Sequence, residues 1–200
     1  MKIGVAGYMG SGKTTLCRVL EEAGFARIDA DEEAKNSMSR NPLLRHAIGA
    51  AFGSDLLCDN GIDFTLLSQR VFSRPDGLAC LDAMVAPPLG AAFSERVASC
   101  SGPLVLDAAA LPRWGIEALF DALWWVDAPG RVRRQRLHKR LPHLDGALVR
   151  ERMEQQERLL AVPPSPPWFY LENRAGTGEL ERMVLRMIDG ACPAQGRTDG

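Results

Sequence analysis

The chain has 200 residues, 46% of them hydrophobic and 24% charged, with a formal net charge of −1. That length suits one domain with enough apolar side chain for a single core, and the near-neutral balance gives no global electrostatic case for nucleic acid or an acidic membrane as partner. Five cysteines, an odd number without a C-x-x-C pair, argue against a disulfide framework or a zinc site and for a reducing, cytoplasmic setting.

The N-terminal apolar run is broken at Gly7 and Lys13, so it does not read as a secretory leader. No stretch reads as long and apolar enough to span a bilayer. Residues 2–6 read as a short buried strand running into Gly7-Tyr8-Met9-Gly10-Ser11-Gly12-Lys13-Thr14, which fits the P-loop pattern G-x-x-x-x-G-K-[ST]. Its glycines let the backbone curl so that successive N–H groups point inward at phosphate oxygens. A helix starting at the loop's end turns its positive N-terminus to the same anion. Lys13 would reach the β- and γ-phosphates of a nucleotide and the Thr14 hydroxyl would ligate Mg²⁺. Leu16, Val19 and Leu20 at helical spacing, with Gly24 as a stop, supply the helix the motif needs.

Residues 25–31 read as a second strand ending in Asp29 and Asp31. Ligands in an open α/β sheet bind beyond the carboxyl ends of the strands, so both carboxylates fall on the P-loop rim. Residues 32–52 read as helical with a break at Asn41-Pro42, and 52–61 as a loop with a turn at Asn60-Gly61. Asp63 or Thr65 would cap a helix through Phe72. A helix from 76 to about 84, stopped by Pro87-Pro88, and another through Ala91 to Cys100 follow.

Residues 103–107 read as an apolar strand ending in Asp107, either a Walker-B carboxylate that helps hold Mg²⁺ or a cap for the next turn. Trp124-Trp125-Val126-Asp127 is another buried strand, and Pro129 opens a very basic helix. Its Arg133, Arg136 and Arg140 lie along one face. They could clamp a transferring phosphoryl group or form a solvated or RNA-binding face. Residues 145–160 read as an amphipathic helix, 163–167 as a stiff proline linker and 168–171 as the last strand. A glycine-bearing loop at 173–177, a helix over 180–188 and a disordered tail at 191–200 complete the chain. His46, His138 and His143 show no metal spacing.

Strands alternate with helices at least five times. That implies an α/β fold, a P-loop NTPase-type parallel sheet sandwiched by helices. One domain over 1–190 is expected, with its core at 1–31, 101–130 and 166–190. A helical substrate-side insert would cover about 40–100 and an arginine-bearing lid about 131–160.

The chain resembles the dephospho-CoA kinase family over nearly its whole length. The resemblance rests on Gly7 to Thr15, Ile28-Asp29-Ala30-Asp31 with Ala34-Lys35, Phe52-Gly53 and Asp59-Asn60-Gly61-Ile62-Asp63. It continues through Val71-Phe72, Val105-Leu106-Asp107, Val126-Asp127-Ala128-Pro129 and Arg136-Leu137-His138-Lys139-Arg140, and closes on Arg152-Met153-Glu154-Gln155-Gln156 and Leu171-Glu172-Asn173. It implies phosphorylation of the ribose 3′-hydroxyl of dephospho-CoA by ATP with Mg²⁺, the last step of coenzyme A synthesis. It implies Asp31 as general base, and Lys13 with the backbone of Gly10, Ser11, Gly12, Thr14 and Thr15 on the ATP phosphates. Arg140 resembles a lid arginine that meets the phosphoryl group, and Asn173 a wall beside the adenine. The basic face adds Arg136 to the nucleotide contacts, and the Walker-B reading adds Asp107 to Thr14 at the metal. A small-molecule substrate is expected, with no nucleic acid or membrane partner, in a monomer or weak homo-oligomer.

The chain departs from the family at Phe64 in place of Arg, at Ala86-Pro87 in place of His-Pro, at Ala109 to Arg113 in place of Pro-Leu-Leu-x-Glu, at Arg133 in place of Gln and at Lys35 in place of Arg. Most of these lie on the acceptor side. Two other readings therefore stand beside the first: a P-loop kinase for another nucleoside, nucleotide or small alcohol, and a non-catalytic nucleotide-binding module.

Overall fold

The computed structural model describes residues 1–59, 61–160, 167–174 and 177–191. Five strands form one parallel sheet in the order β2-β5-β1-β6-β7, where β1 is Lys2–Ala6, β2 Ala26–Asp29, β5 Leu104–Asp107, β6 Ala122–Asp127 and β7 Trp168–Glu172. A separate two-stranded hairpin pairs β3 (Leu57–Cys58) with β4 (Gly61–Ile62). The chain is thus α/β with helices on both faces, as the alternation of apolar strands and helical segments requires.

Period-two alternation explains the two layers. Ile3, Val5, Val105, Trp124 and Val126 point to one face and pack with α1 (Lys13–Glu22) through Leu16, Val19 and Leu20, and with α8 (Thr177–Ala191) through Val184. Leu104, Leu106, Leu123 and Trp125 point to the other face. There they meet α2 (Ala30–Arg40), α3 (Pro42–Phe52), α4 (Phe64–Phe72) and α5 (Gly77–Ser99). A third, small cluster of Leu137, Val149 and Met153 joins α6 (Gly130–Arg140) to α7 (Gly146–Leu159).

Caps fix the helix starts. Asn41 Oδ1 accepts from the N–H groups of Leu43 and Leu44 (3.0 and 3.2 Å) with Pro42 at the first turn, so the break expected at Asn41-Pro42 is a helix boundary. Asp63 and Asp145 cap α4 and α7 in the same way.

Two expectations are corrected here. Pro87 and Pro88 do not stop a helix; they lie inside the continuous α5. Losing two N–H donors costs a few kcal/mol, but Val85, Leu89, Phe93 and Val97 are buried before and after the pair. Each such burial is worth about 1.5–3 kcal/mol, so packing overrides the local penalty. Undivided, this helix does have the length and apolarity of a membrane-crossing one, with a mean hydropathy of 1.3 over 18 residues. Its apolar stripe is nevertheless part of the core against the sheet. The proline linker falls mostly on residues 161–166 and the glycine loop partly on 175–176, both outside the described residues. Of the expected tail only Ala191 is described, and it ends α8. Asn60 of the expected turn is also outside them.

Phe93 is 2% exposed and stacks on Trp114 with ring centroids 4.9 Å apart. Phe93→Ala should cost about 3–5 kcal/mol of stability, read as a lowered urea midpoint; a loss below about 1 kcal/mol would show that this face of α5 is not the core it looks like.

Candidate active site

The parallel register brings the carboxyl ends of three strands to one level: Asp107 lies opposite Val5 on one side and opposite Asp29 on the other. Asp107 is 6% exposed. Two such carboxylates side by side need a cation, and Arg27 supplies it: its Nη2 donates to Asp29 Oδ2 and to Asp107 Oδ2, both at 2.8 Å. Arg27 and Asp29 are two apart on β2, so they share a face. Asp29 also caps α2, its Oδ1 accepting from Asp31 N (3.1 Å) and Glu32 N (3.2 Å). The strand therefore ends at Asp29, and Asp31 stands in the first turn of α2 rather than on a strand. Cys17 is buried behind the loop; burial first, and then the charge of Asp107, pushes its thiol well up.

The loop after β1 curls through Gly10 (φ 75°) and Gly12 (φ 109°). A Cβ on Gly12 would stand 2.2 Å from Asn173 Nδ2, so backbone angle and space both demand glycine. Turning N–H groups toward a phosphate turns carbonyls the other way. Arg136 Nη1 donates to Gly10 O (3.2 Å) and Ser11 O (3.0 Å), and Asn173 Nδ2 donates to Ser11 O (2.8 Å). Arg136 Nη2 donates to Asn173 Oδ1 (3.2 Å), tying the two braces together. At the loop's other end Met9 N donates to Gln156 Oε1 on α7 (2.6 Å).

In front of the loop lies a cleft of about 800 Å³. Gly10, Gly12, Lys13, Thr14, Thr15, Asp31, Asp107, Arg136 and Arg140 line it. Ser11 and Asn173 do not: Ser11 is fully buried, and Asn173, 7% exposed, stands behind the loop as a brace. Arg133 is also outside the cleft. It is neither solvated nor a clamp: buried, it donates from Nε to Ala128 O (3.0 Å), pairs with Glu157 and lies over the Tyr8 ring at 4.9 Å. Arg136 faces the cleft while holding the loop from beside it, and burial lowers its pKa.

Asp31 is open to the cleft's water, yet protein walls crowd it. This desolvation raises its carboxyl pKa; Lys13 opposes the shift, and Asp29 and Asp107 add to it. Across the cleft Arg152 lies over the Phe72 ring at 4.5 Å. Its Nε is buried without a hydrogen-bond partner among the described residues, and burial lowers its pKa. Such a cation is costly unless an anion comes to it.

A second cleft, of about 210 Å³, opens beside Asp31 between α2, α5 and α7. It is apolar, walled by residues such as Leu81, Val85 and Trp114, with Asp82 among its lining.

No cluster of three or more His, Cys, Asp or Glu forms a metal cage among the described residues. The donor set instead suits a cation that keeps most of its ligands as water and phosphate oxygens, as Mg²⁺ does. Thr14 and Asp107 share the cleft, and Arg27 holds only one Asp107 oxygen.

Sequence reasoning passed over Arg27, Gln156, the pairing of Asp82 with Arg113, and any role for Arg152. Alternation on β2 was a usable sign for Arg27. The others are made by partners far apart in the chain, and nothing local marks them.

Comparison with known proteins agrees with this geometry. A family model described as dephospho-CoA kinase matches residues 1–160. A Streptococcus pyogenes protein named dephospho-CoA kinase is 32% identical over 94% of either chain. One of the same name from Streptomyces avermitilis is 33% identical over 92% of this chain and 90% of its own. Among solved structures, a Thermus thermophilus protein superposes with a TM-score of 0.65 at 27% identity, covering 96% of this chain and 98% of its own. The dephospho-CoA kinase of Campylobacter jejuni gives 0.62 at 20% identity with the same coverage, a likeness of fold.

Asn173 tests the bracing. Asn173→Ala removes the donor to Ser11 O and the acceptor for Arg136, and should weaken ATP binding about tenfold with little change in fold. Calorimetric titration with ATP measures it, and unchanged affinity would show that the loop keeps its shape unaided.

Proposed function

The chain belongs to the dephospho-CoA kinase family, and we propose that the cleft in front of the P-loop carries its chemistry, transfer of the γ-phosphoryl group of ATP to the ribose 3′-hydroxyl of dephospho-CoA. The single observation behind the assignment of roles is that Asp31 shares one cleft with Lys13, Thr14 and Arg140. No covalent intermediate is needed for such a transfer; positioning and charge do most of it.

In this reading the inward N–H groups of the loop from Gly10 to Thr15 and the Lys13 ammonium hold the β- and γ-phosphates. Thr14, with Asp107 behind it, would hold Mg²⁺, which when bound neutralises charge on the phosphate oxygens. Asp31 accepts the proton of the 3′-hydroxyl as it attacks. Its raised pKa suits that task better than an ordinary carboxylate's would, since a base works best with a pKa nearer the operating pH. Arg140, exposed at the end of α6, meets the charge spreading over the transferring group, and Arg152 offers a second cation on the acceptor side. Helices α6 and α7 act as a lid that excludes water and suppresses ATP hydrolysis. Ser11, Arg136 and Asn173 support this by shaping the loop and not by touching the reacting atoms.

ADP release followed with ATP, Mg²⁺ and dephospho-CoA tests the assignment. Release should be fast only when dephospho-CoA is present. Asp31→Asn should keep ATP binding and lose about 10²–10⁴ in turnover, and Lys13→Ala should abolish transfer. Normal turnover in either variant removes that residue from its role, and ATP binding without stimulation by dephospho-CoA would move the acceptor to another alcohol.

The pH dependence follows from Asp31. A base must be ionised, so kcat/KM falls as pH drops through its pKa. Because that pKa is raised, the acidic limb should lie above the ordinary aspartate range of about 4. A limb at or below that range in a pH–rate profile would contradict the desolvated environment of Asp31.

A further inference from the structure

The two clefts meet at Asp31, which lines both, and their chemistry is opposite. The larger one is lined by Lys13, Arg18, Lys35, Arg136, Arg140 and Arg152 among others. The smaller one has neither lysine nor arginine in its lining. Apart from Gln156 and two aspartates its walls are apolar, ending in Trp114, which is itself held in place by stacking on Phe93. A phosphate finds no cation in such a space, whereas a flat, uncharged ring can fill it.

One charged side chain besides Asp31 reaches the smaller cleft. Asp82, on the second turn of α5, has a side chain only 10% exposed. Arg113 Nε donates to its Oδ2 at 2.6 Å, while Arg113 Nη1 donates to Leu159 O at 3.4 Å. Arg113 is not part of the cleft's lining, so it holds the carboxylate from outside. The other oxygen, Oδ1, has no hydrogen-bond partner among the described residues. An acceptor fixed in orientation in an apolar cleft selects for a donor on whatever enters.

We propose that this cleft receives the adenine ring of the phosphoryl acceptor and that Asp82, held by Arg113, accepts a hydrogen bond from its exocyclic amine. The inference rests on the dephospho-CoA reading, because it uses the acceptor's own connectivity. The 3′-hydroxyl and the base are attached to the same ribose, so a hydroxyl at Asp31 leaves the base within a sugar ring's width of it. The 5′-diphosphate then turns back into the cationic cleft, toward Lys35 and Arg152. Asp82 is a specificity residue: it touches the acceptor's base and none of the reacting atoms. Two departures from the family pattern meet in it, since Ala86 lines this cleft and Arg113 supplies the brace.

The test compares dephospho-CoA with its analogue carrying unsubstituted purine, which lacks only the amine. Both equilibrium binding without ATP and kcat/KM are measured. The wild type should favour the amine roughly 10- to 100-fold in both. Asp82→Ala should weaken dephospho-CoA by that factor, leave the analogue little changed and so erase the preference, with ATP affinity intact. Asp82→Asn keeps an oxygen acceptor in the same shape and should retain part of the preference, which guards against loss of fold in the alanine variant. Arg113→Met, which frees the carboxylate, should reduce the preference as well. Equal treatment of the two acceptors by the wild type, a preference that survives Asp82→Ala, or no binding of dephospho-CoA at all would each overturn the proposal. Phosphorylation of both acceptors alike would overturn it while leaving the kinase reading standing. Binding that discriminates the amine without phosphoryl transfer would do the reverse.

Discussion

A loop that offers its N–H groups to an anion must put its carbonyls somewhere, and that constraint organises this molecule. Gly10 O and Ser11 O point away from the cleft, into protein, where unpaired they would cost about 1–3 kcal/mol each. Arg136 and Asn173 take them. The two donors come from α6 and from the residue after β7, so the phosphate-binding shape is complete only when chain beyond residue 130 has docked. Gly12 is the other half of the same bargain, because its missing side chain is the space in which the Asn173 amide sits. From the opposite end, Gln156 fixes Met9 and so links the loop to α7. Both α6 and α7 are thus hydrogen-bonded to the P-loop.

The rim of the sheet shows a similar economy with charge. Strand register sets Asp29 and Asp107 level with each other, and Arg27 neutralises one oxygen from each. Asp31 is left over, and desolvation by the surrounding protein raises its carboxyl pKa, with Lys13 opposing and Asp29 and Asp107 adding to the rise. One short sequence, Arg27-Ile28-Asp29-Ala30-Asp31, therefore yields three acid–base environments. Arg27 is a half-buried cation with two carboxylates, Asp29 is a helix cap and ion-pair partner, and Asp31 is the group left open to the cleft.

What could be read from the sequence was what local spacing determines. The P-loop, the carboxylates after the strands, the helix break at Asn41-Pro42, a cap at Asp63 or Thr65 and the parallel α/β layout all follow from turn chemistry and periodicity over a dozen residues or fewer. What stayed hidden depended on partners far apart in the chain. Asn173 meets Ser11 across 162 positions and Arg136 meets Gly10 across 126, so their bracing of the loop had no local sign. Arg133 shared a helical face with Arg136 and Arg140 on paper, but Glu157 and Tyr8 take it into the protein. Pro87-Pro88 read as a stop because the penalty is local and visible, whereas the burial of Val85, Leu89, Phe93 and Val97 that outweighs it is tertiary. The second cleft had no sequence sign at all, being the space left where α2, α5 and α7 meet.

The division between these two kinds of feature bears on how the chain could differ from its relatives without losing its chemistry. The groups around the phosphates are locked to one another: changing Gly12, Asn173 or Arg136 disturbs the same loop backbone, and Arg27 binds two strand ends at once. The smaller cleft is built from separate side chains on an apolar wall. Ala86 and Leu81 contribute only shape, and Asp82, paired with Arg113, adds polarity beside Asp31 and Gln156. Substitution there alters what fits beside Asp31 and leaves the strand register, the loop and the carboxylate–arginine cluster untouched. Ala86 lines this wall and Arg113 braces it from outside, so both stand apart from the P-loop and its braces.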